Sequence, residues 1–195
     1  MYHIYQTEGW VLGGINVGEA NRYIDIFTRE LGLVRGVAQG VRKLQSKLKF
    51  GLQDLTYGKF SLVKGREVWR IVGAEALTDF ENTKHNKEKL ALLAKIFLLV
   101  DRLIKGERKD AELFDDIYNA FKLVYRENLS SGEVDGLELV LVYRILHNLG
   151  YVSYDSSSAS VIEVKDWNIK FLNIDKILRV KLLKQINEAI AHSHL

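Results

Sequence analysis

Residues 1 to about 80 are cut into short apolar and aromatic runs separated by glycine, and this punctuation commits the segment to β structure. Five strands are expected: Trp10 to Ile15, Tyr23 to Thr28, Leu33 to Ala38, Leu55 to Val63 and Glu67 to Ala76. Glu30-Leu31-Gly32 and Lys64-Gly65-Arg66 are the expected hairpin turns, because glycine accepts the positive φ that such turns demand. Gly13 and Gly14, inside the first strand, suit a bulge or sharp bend. Between the third and fourth strands, Val41 to Phe50 reads as a helix with Val41, Leu44 and Leu48 on one stripe at i, i+3 and i+7. Five strands with one helix between the third and fourth is the order of an OB-fold, a small closed barrel.

From Glu81 onward the period becomes helical. Leu90 to Ile104 is a first helix; Phe114, Ile117, Tyr118, Phe121 and Tyr125 mark a second; Leu137, Val140, Leu141, Arg144 and Ile145 mark a third that stops at Gly150, a suitable C′ residue. Asp155 to Ser160 is a polar loop. Val161 to Val164 and Ile169 to Leu172 suggest a short hairpin around Asp166-Trp167-Asn168, before a last helix from Ile174 to about Ala191 with Asn173 as its N-cap. The expected class is therefore α+β: an N-terminal five-stranded OB-fold β-barrel, 1–80, followed by an α-helical C-terminal domain, 81–195.

Composition narrows the function classes. The chain has no cysteine, which excludes disulfides, thiolate zinc sites, iron–sulfur clusters and cysteine nucleophiles, and it has no proline, so turns fall to its 15 glycines with Asn, Asp and Ser. The N-terminus MYHIYQTEGW lacks a basic and an apolar signal region, and the apolar tract Leu90 to Val100 is broken by Lys95 and too short to span a bilayer. A soluble cytoplasmic protein that does not enter membranes is expected. The net charge of +3 is mild, but residues 1–80 carry 11 basic and 8 acidic side chains, so the excess lies toward the N-terminus.

That excess is concentrated. No acidic residue occurs between Glu30 and Asp54, while Arg35, Arg42, Lys43, Lys47 and Lys49 are all basic. A polyanion is the natural partner of such a run, and a solvated helix face is the alternative. Lys64 and Arg66, at a hairpin tip, are placed to extend a positive groove. Trp10, Tyr57, Phe60 and Trp69 lie on expected strands, where each is either core or a platform for a stacked base; Trp10 and Tyr57 are the stacking candidates carried forward.

Catalytic patterns are missing. There is no G-x-G-x-x-G, no G-K-[ST] after a glycine-rich turn and no G-x-S-x-G. Asp115 and Asp116 point about 100° apart on a helix and read as solvating charges. His192 and His194 lie in a terminal tail without carboxylate or thiolate support, so no metal is expected there. The chain is read as a non-enzyme without cofactor.

Several segments resemble the RecO family of bacterial recombination mediators: Gly18-Glu19-Ala20-Asn21-Arg22, Thr28-Arg29-Glu30-Leu31-Gly32-Leu33, Gly36-Val37-Ala38-Gln39-Gly40, then Arg42-Lys43 and Lys47-Leu48. Leu149-Gly150-Tyr151 is similar to a helix end of the family, and Ser193-His194-Leu195 is faintly similar to its C-terminal serine motif. The resemblance implies an OB-fold and a helical domain, binding of single- and double-stranded DNA, and annealing of complementary strands. It also implies partnership with RecR and with the C-terminal tail of single-strand-binding protein, indirect partnership with RecA, whose loading on coated DNA the protein would assist, and association with the nucleoid. A cation beside apolar helix surface, Arg126 or Arg144, is the expected docking point for an acidic, hydrophobic-ended tail. Many members carry a four-cysteine zinc module after Leu-Gly-Tyr; here Tyr154-Asp155-Ser156-Ser157-Ser158 offers no such ligands, and the chain is short for the family. An OB-fold binder of RNA or other oligonucleotides, and a helical protein-interaction scaffold, are the alternative functions.

Overall fold

The 14-residue first strand, β1 (Ile4–Val17), is long enough to pair with two neighbours in succession. Ile4 to Trp10 run antiparallel to β4 (Tyr57–Lys64), and Gly9 to Val17 run antiparallel to β2 (Asn21–Thr28). The register slips between Val11 and Gly13, the bulge by which the strand bends from one partner to the other. β3 (Gly32–Ala38) pairs with β2, and β5 (Trp69–Ala76) pairs antiparallel with β4 and parallel with β3, closing a barrel in the order β1-β2-β3-β5-β4. This computed structural model describes residues 3–77, 80, 86–164 and 166–192.

The barrel closes because its inward positions alternate as strands require. Ile24 and Ile26 of β2, Val34 and Ala38 of β3, Phe60 and Leu62 of β4, and Trp69 and Ile71 of β5 are buried with Val11 in one cluster. Each large apolar side chain so buried contributes about 1.5–3 kcal/mol. β1 is buried on its other face too: Trp10 packs against Tyr57, Phe80 and Phe97, with ring centroids 4.8, 4.6 and 5.2 Å away. Phe97 belongs to α1 (Lys87–Leu103), which is capped by Asn86 through bonds to Glu88 N and Lys89 N. The chain divides into two units, residues 1–114 and 115–195, so α1 belongs with the barrel, whereas the sequence reading divided the chain at 80.

α2 (Ala111–Arg126) runs through that division. In the second unit, α3 (Ser131–Asn148) begins with a capping box between Ser130 and Glu133 and ends at Leu149, followed by Gly150 at φ +81, the expected C′ glycine. Two short helices follow, α4 (Ala159–Ile162) and α5 (Ile169–Leu172), then α6 (Lys176–His192). α6 buries Leu182 and Ile186, and Gln185 Oε1 accepts from Tyr143 of α3 at 3.1 Å.

Three expectations are corrected. Val161 to Leu172 is not a hairpin but two single-turn helices, because Asn168 caps α5 through Phe171 N and Arg144 binds the Val161 and Val164 carbonyls that a strand partner would need. The last helix is capped by Asp175, whose carboxylate accepts from Ile177 N and Leu178 N, rather than by Asn173. Val41 to Phe50 is a succession of turns and not a regular helix.

Candidate nucleic-acid interface

The segment between β3 and β4 is held at both ends and free in the middle. At its start Gly40 N donates to Asn21 Oδ1 (2.9 Å), Arg42 N to the Ala20 carbonyl (3.1 Å) and Arg42 Nη1 to the Gly18 carbonyl (3.0 Å), fastening it to the β1–β2 turn. At its end Gly51 lies so close to β5 that an added Cβ would stand 2.7 Å from the Ala74 carbonyl oxygen. Leu52 is buried there, and its carbonyl accepts from Arg22, which also pairs with Asp54 at 2.7 Å.

Between these anchors Lys43 N bonds to Gly40 O, Ser46 N to Lys43 O and Lys49 N to Ser46 O, all i to i+3. Such turns advance about three residues each rather than 3.6, so a 3.6-residue stripe does not stay on one side. Val41 and Leu52 are buried in the barrel cluster and Leu48 packs against it, while Leu44 is 93% exposed. The expected stripe through Leu44 is therefore wrong, and Leu52 replaces it as the inward residue.

Without the helix, four of the cations still face solvent. Arg42, Lys43, Lys47 and Lys49 are exposed, and among the described residues none of them forms an ion pair with a carboxylate. Lys43 and Leu44, with Gln39, Gly40, Gln45 and Ser46, line an open cavity of about 580 Å³. Phe50 stands 72% exposed immediately after Lys49.

The other candidates separate from this group. Arg35, mid-strand on β3, forms a two-pronged bond to its cross-strand partner Asp25, with Nε and Nη2 each at 2.7 Å, and that hydrogen bonding, with Asp25's charge, raises its pKa further. Its charge is already matched, so it is withdrawn as a phosphate contact. Lys64 pairs with Glu107 at 3.0 Å and lies 5.3 Å from the Trp69 ring centre; it too is engaged. Burial disfavours the Glu107 carboxylate, but bonds from Trp69 Nε1 and Lys64, with the lysine's charge, outweigh it and lower its pKa.

Arg66 is exposed in the β4–β5 turn. Because β5 runs parallel to β3 with Gly36 opposite Trp69, that turn enters on the Gly32 side of β3, whereas Arg42 to Lys49 follow its Ala38 end. Arg66 and the Arg42 to Lys49 group therefore lie on opposite sides of the Gly36–Trp69 pairing along the strand direction. Trp10 and Tyr57 are buried, as are Phe60 and Trp69, so none offers a face to a base. Phe60 and Trp69 fill the barrel interior, whereas Trp10 and Tyr57 are covered by Phe80 and by Phe97 of α1, a layer that strand alternation does not reveal.

In the second unit, Arg144 is occupied internally. It bonds Asp116 at 2.7 Å and the Val164 carbonyl at 2.6 Å, with its guanidinium 5.3 Å from the Trp167 ring centre; Trp167 Nε1 completes the network by donating to Asp116 at 2.9 Å. Asp116 is therefore a partly buried anchor and not a solvating charge, and Arg144 is withdrawn as a docking point. Arg126 remains exposed, lining an open cavity of about 790 Å³ with Lys122, Leu123, Trp167, Ile169 and Lys170. After Gly150, Asp155 and Ser157 offer their side-chain oxygens to Lys181, a donor set that does not fit zinc. The His192 side chain and His194 lie outside the described residues.

Phe50 and Leu44 are the site residues that sequence reasoning missed. The signal was present in Lys47-Leu48-Lys49-Phe50, an aromatic set among cations, but the assumed helix hid it.

Comparison with known proteins gives a consistent result. Residues 1–80 match the family model described as recombination protein O N terminal. The chain is 29% identical over 154 residues to the DNA repair protein RecO of Acetivibrio thermocellus, covering 78% of this chain and 59% of that one. It is 30% identical over 148 residues to that of Heliobacterium modesticaldum, covering 76% and 52%, and 28% identical over 126 residues to that of Alkaliphilus metalliredigens, covering 65% and 51%. The chain thus spans between half and three-fifths of the length of these relatives.

Proposed function

We propose that this chain, which resembles DNA repair proteins named RecO over most of its length, is a DNA-binding recombination mediator that holds single- and double-stranded DNA and anneals complementary strands. The observation that carries this reading is the group Arg42, Lys43, Lys47 and Lys49, exposed and without carboxylate partners on a segment anchored at both ends. Four uncompensated cations on a fixed base bind phosphates without first breaking an internal ion pair.

Annealing needs no bond chemistry, so no catalytic group is required of this chain. Two phosphate backbones neutralised together repel less, and tethering both strands raises their local concentration. In this reading the barrel at residues 1–80 is the DNA-binding domain and residues 81–195 serve partners. The cavity around Arg126, Lys122, Lys170 and Trp167 has the cation-beside-aromatic character that suits the tail of single-strand-binding protein. RecR and, indirectly, RecA are the further partners of a mediator that works in the cytoplasm on nucleoid DNA. Among the described residues no helix is long and apolar enough to cross a membrane.

The test is fluorescence annealing of labelled complementary oligonucleotides, with and without single-strand-binding protein. The protein should accelerate pairing, and the triple change Arg42→Glu, Lys43→Glu, Lys47→Glu should abolish the acceleration, with a fall in melting temperature no larger than that of Arg42→Ala, which removes the bond to the Gly18 carbonyl. Acceleration that survives the triple change refutes the assignment, and preference for RNA in competition would move the function to RNA.

A further inference from the structure

We propose that Phe50 is a base-stacking platform that gives the basic segment its preference for unpaired strands; this rests on the DNA-binding reading above. Three observations carry it. Phe50 is 72% exposed, although burying a phenylalanine side chain is ordinarily favourable and Leu52, two residues on, is fully packed. Its backbone is fixed: Gly51 is wedged against the Ala74 carbonyl, and Leu52 N bonds to the Leu48 carbonyl at 3.1 Å, so the ring is presented on a rigid base. Its neighbours are cations, with Lys49 adjacent and Lys47 one turn back, and no acidic residue lies closer in sequence than Asp54.

The chemistry of the occupant follows from this set. An exposed aromatic face among unpaired ammonium groups suits a ligand that is anionic along one edge and has flat π-faces along the other, which describes a single-stranded nucleic acid. Consecutive Cα atoms lie about 3.8 Å apart, so the Lys49 and Phe50 side chains spring from one place on the segment and can serve neighbouring parts of one strand. A protein surface with acidic groups would satisfy the lysines but would leave the ring without a flat partner.

Stacking also suits annealing. It engages the face of a base and leaves its Watson–Crick edge exposed to an incoming strand. In a duplex the faces are already covered, so Phe50 has nothing to grip and only the cations act. Leu44, 93% exposed beside Lys43, lacks a π-face and contributes apolar contact only.

The experiment measures equilibrium binding of wild type, Phe50→Ala, Phe50→Leu and Phe50→Trp to a single strand, a duplex and an abasic single strand of equal charge. Phe50→Ala and Phe50→Leu should weaken single-strand binding about 5- to 100-fold, Phe50→Trp should retain it, and duplex and abasic binding should be unchanged. Thermal melting of each variant should match wild type, since the ring is exposed. Wild-type single-strand affinity in Phe50→Ala, while the triple charge reversal still abolishes binding, overturns the inference and leaves the DNA reading intact. An equal loss on all three ligands also overturns it, because the ring would then act without a base. Failure of the wild type to bind any oligonucleotide at low salt removes the DNA reading and this inference with it.

Discussion

Titrating salt counts the cations that touch phosphate, and the structure makes that count specific. Seven cations are candidates by sequence: Arg35, Arg42, Lys43, Lys47, Lys49, Lys64 and Arg66. Arg35 is bound to Asp25 and Lys64 to Glu107, and Arg66 lies toward the other end of β3, which leaves four for a short single strand. Each phosphate contact contributes about 0.7 to the slope of log K against log salt on single strands, so four predict about −2.8 and seven about −4.9. Between 50 and 200 mM salt, a slope of −2.8 is about a 50-fold loss of affinity. Removing one of the four, as in Lys47→Ala, should bring the slope to about −2.1 and the loss to about 20-fold. Arg35→Ala should leave the slope where it was, because that guanidinium neutralises Asp25 and not DNA. Fluorescence anisotropy with a short labelled oligonucleotide measures both. A slope near −5, or an Arg35→Ala variant that lowers the slope as much as Lys47→Ala, would show that the ion pairs seen here do not govern which cations act.

Three other expectations concern the scaffold. Asp116 and Arg144 are only 13% and 15% exposed, so Asp116→Ala strands a buried guanidinium and should cost about 3–5 kcal/mol in urea unfolding, whereas Asp116→Leu with Arg144→Met should cost much less. Equal costs for the two would remove the argument. Gly32 sits at φ +74 with an added Cβ falling 2.2 Å from the Arg108 carbonyl oxygen, while Gly18 sits at φ +58 with open space around it. Both alanine variants incur left-handed strain of about 1–2 kcal/mol, and Gly32→Ala should lower the melting temperature more, because a backbone carbonyl must also move. The bond from Lys181, followed by that from Ser157 N, lowers the Asp155 pKa from 3.8 to about 2. A depressed carboxylate contributes stability above its unfolded pKa and loses it as pH falls toward the folded value. The melting temperature should therefore decline between about pH 4 and pH 2, and Asp155→Asn should flatten that part of the profile.

Much of the fold was legible because its signals are local. Alternating apolar residues mark β2 and β3 to within two residues of their observed starts, and Gly13 marks the bulge of β1 because a bend in a strand is announced by the residue that permits it. The helical stripes and Gly150 are equally short-ranged. The β3–β4 connection misled because Val41, Leu44 and Leu48 satisfy a helical spacing that anchors at Asn21, Ala20 and Ala74 override. Residues 161 to 172 misled because four-residue apolar runs fit strand and helix alike, and Arg144 decides between them from another helix.

Sequence alone determined the barrel, the helices and the concentration of positive charge ahead of the fourth strand, since periodicity and composition are properties of neighbours in the chain. Tertiary structure alone decided which charges remain unspent and which rings face solvent. Asp25 reaches Arg35 from the neighbouring strand, Asp116 reaches Arg144 from 28 residues away, and α1 closes over Trp10. Partners so distant are chosen by folding, and they leave Lys43, Lys47, Lys49 and Phe50 exposed to solvent.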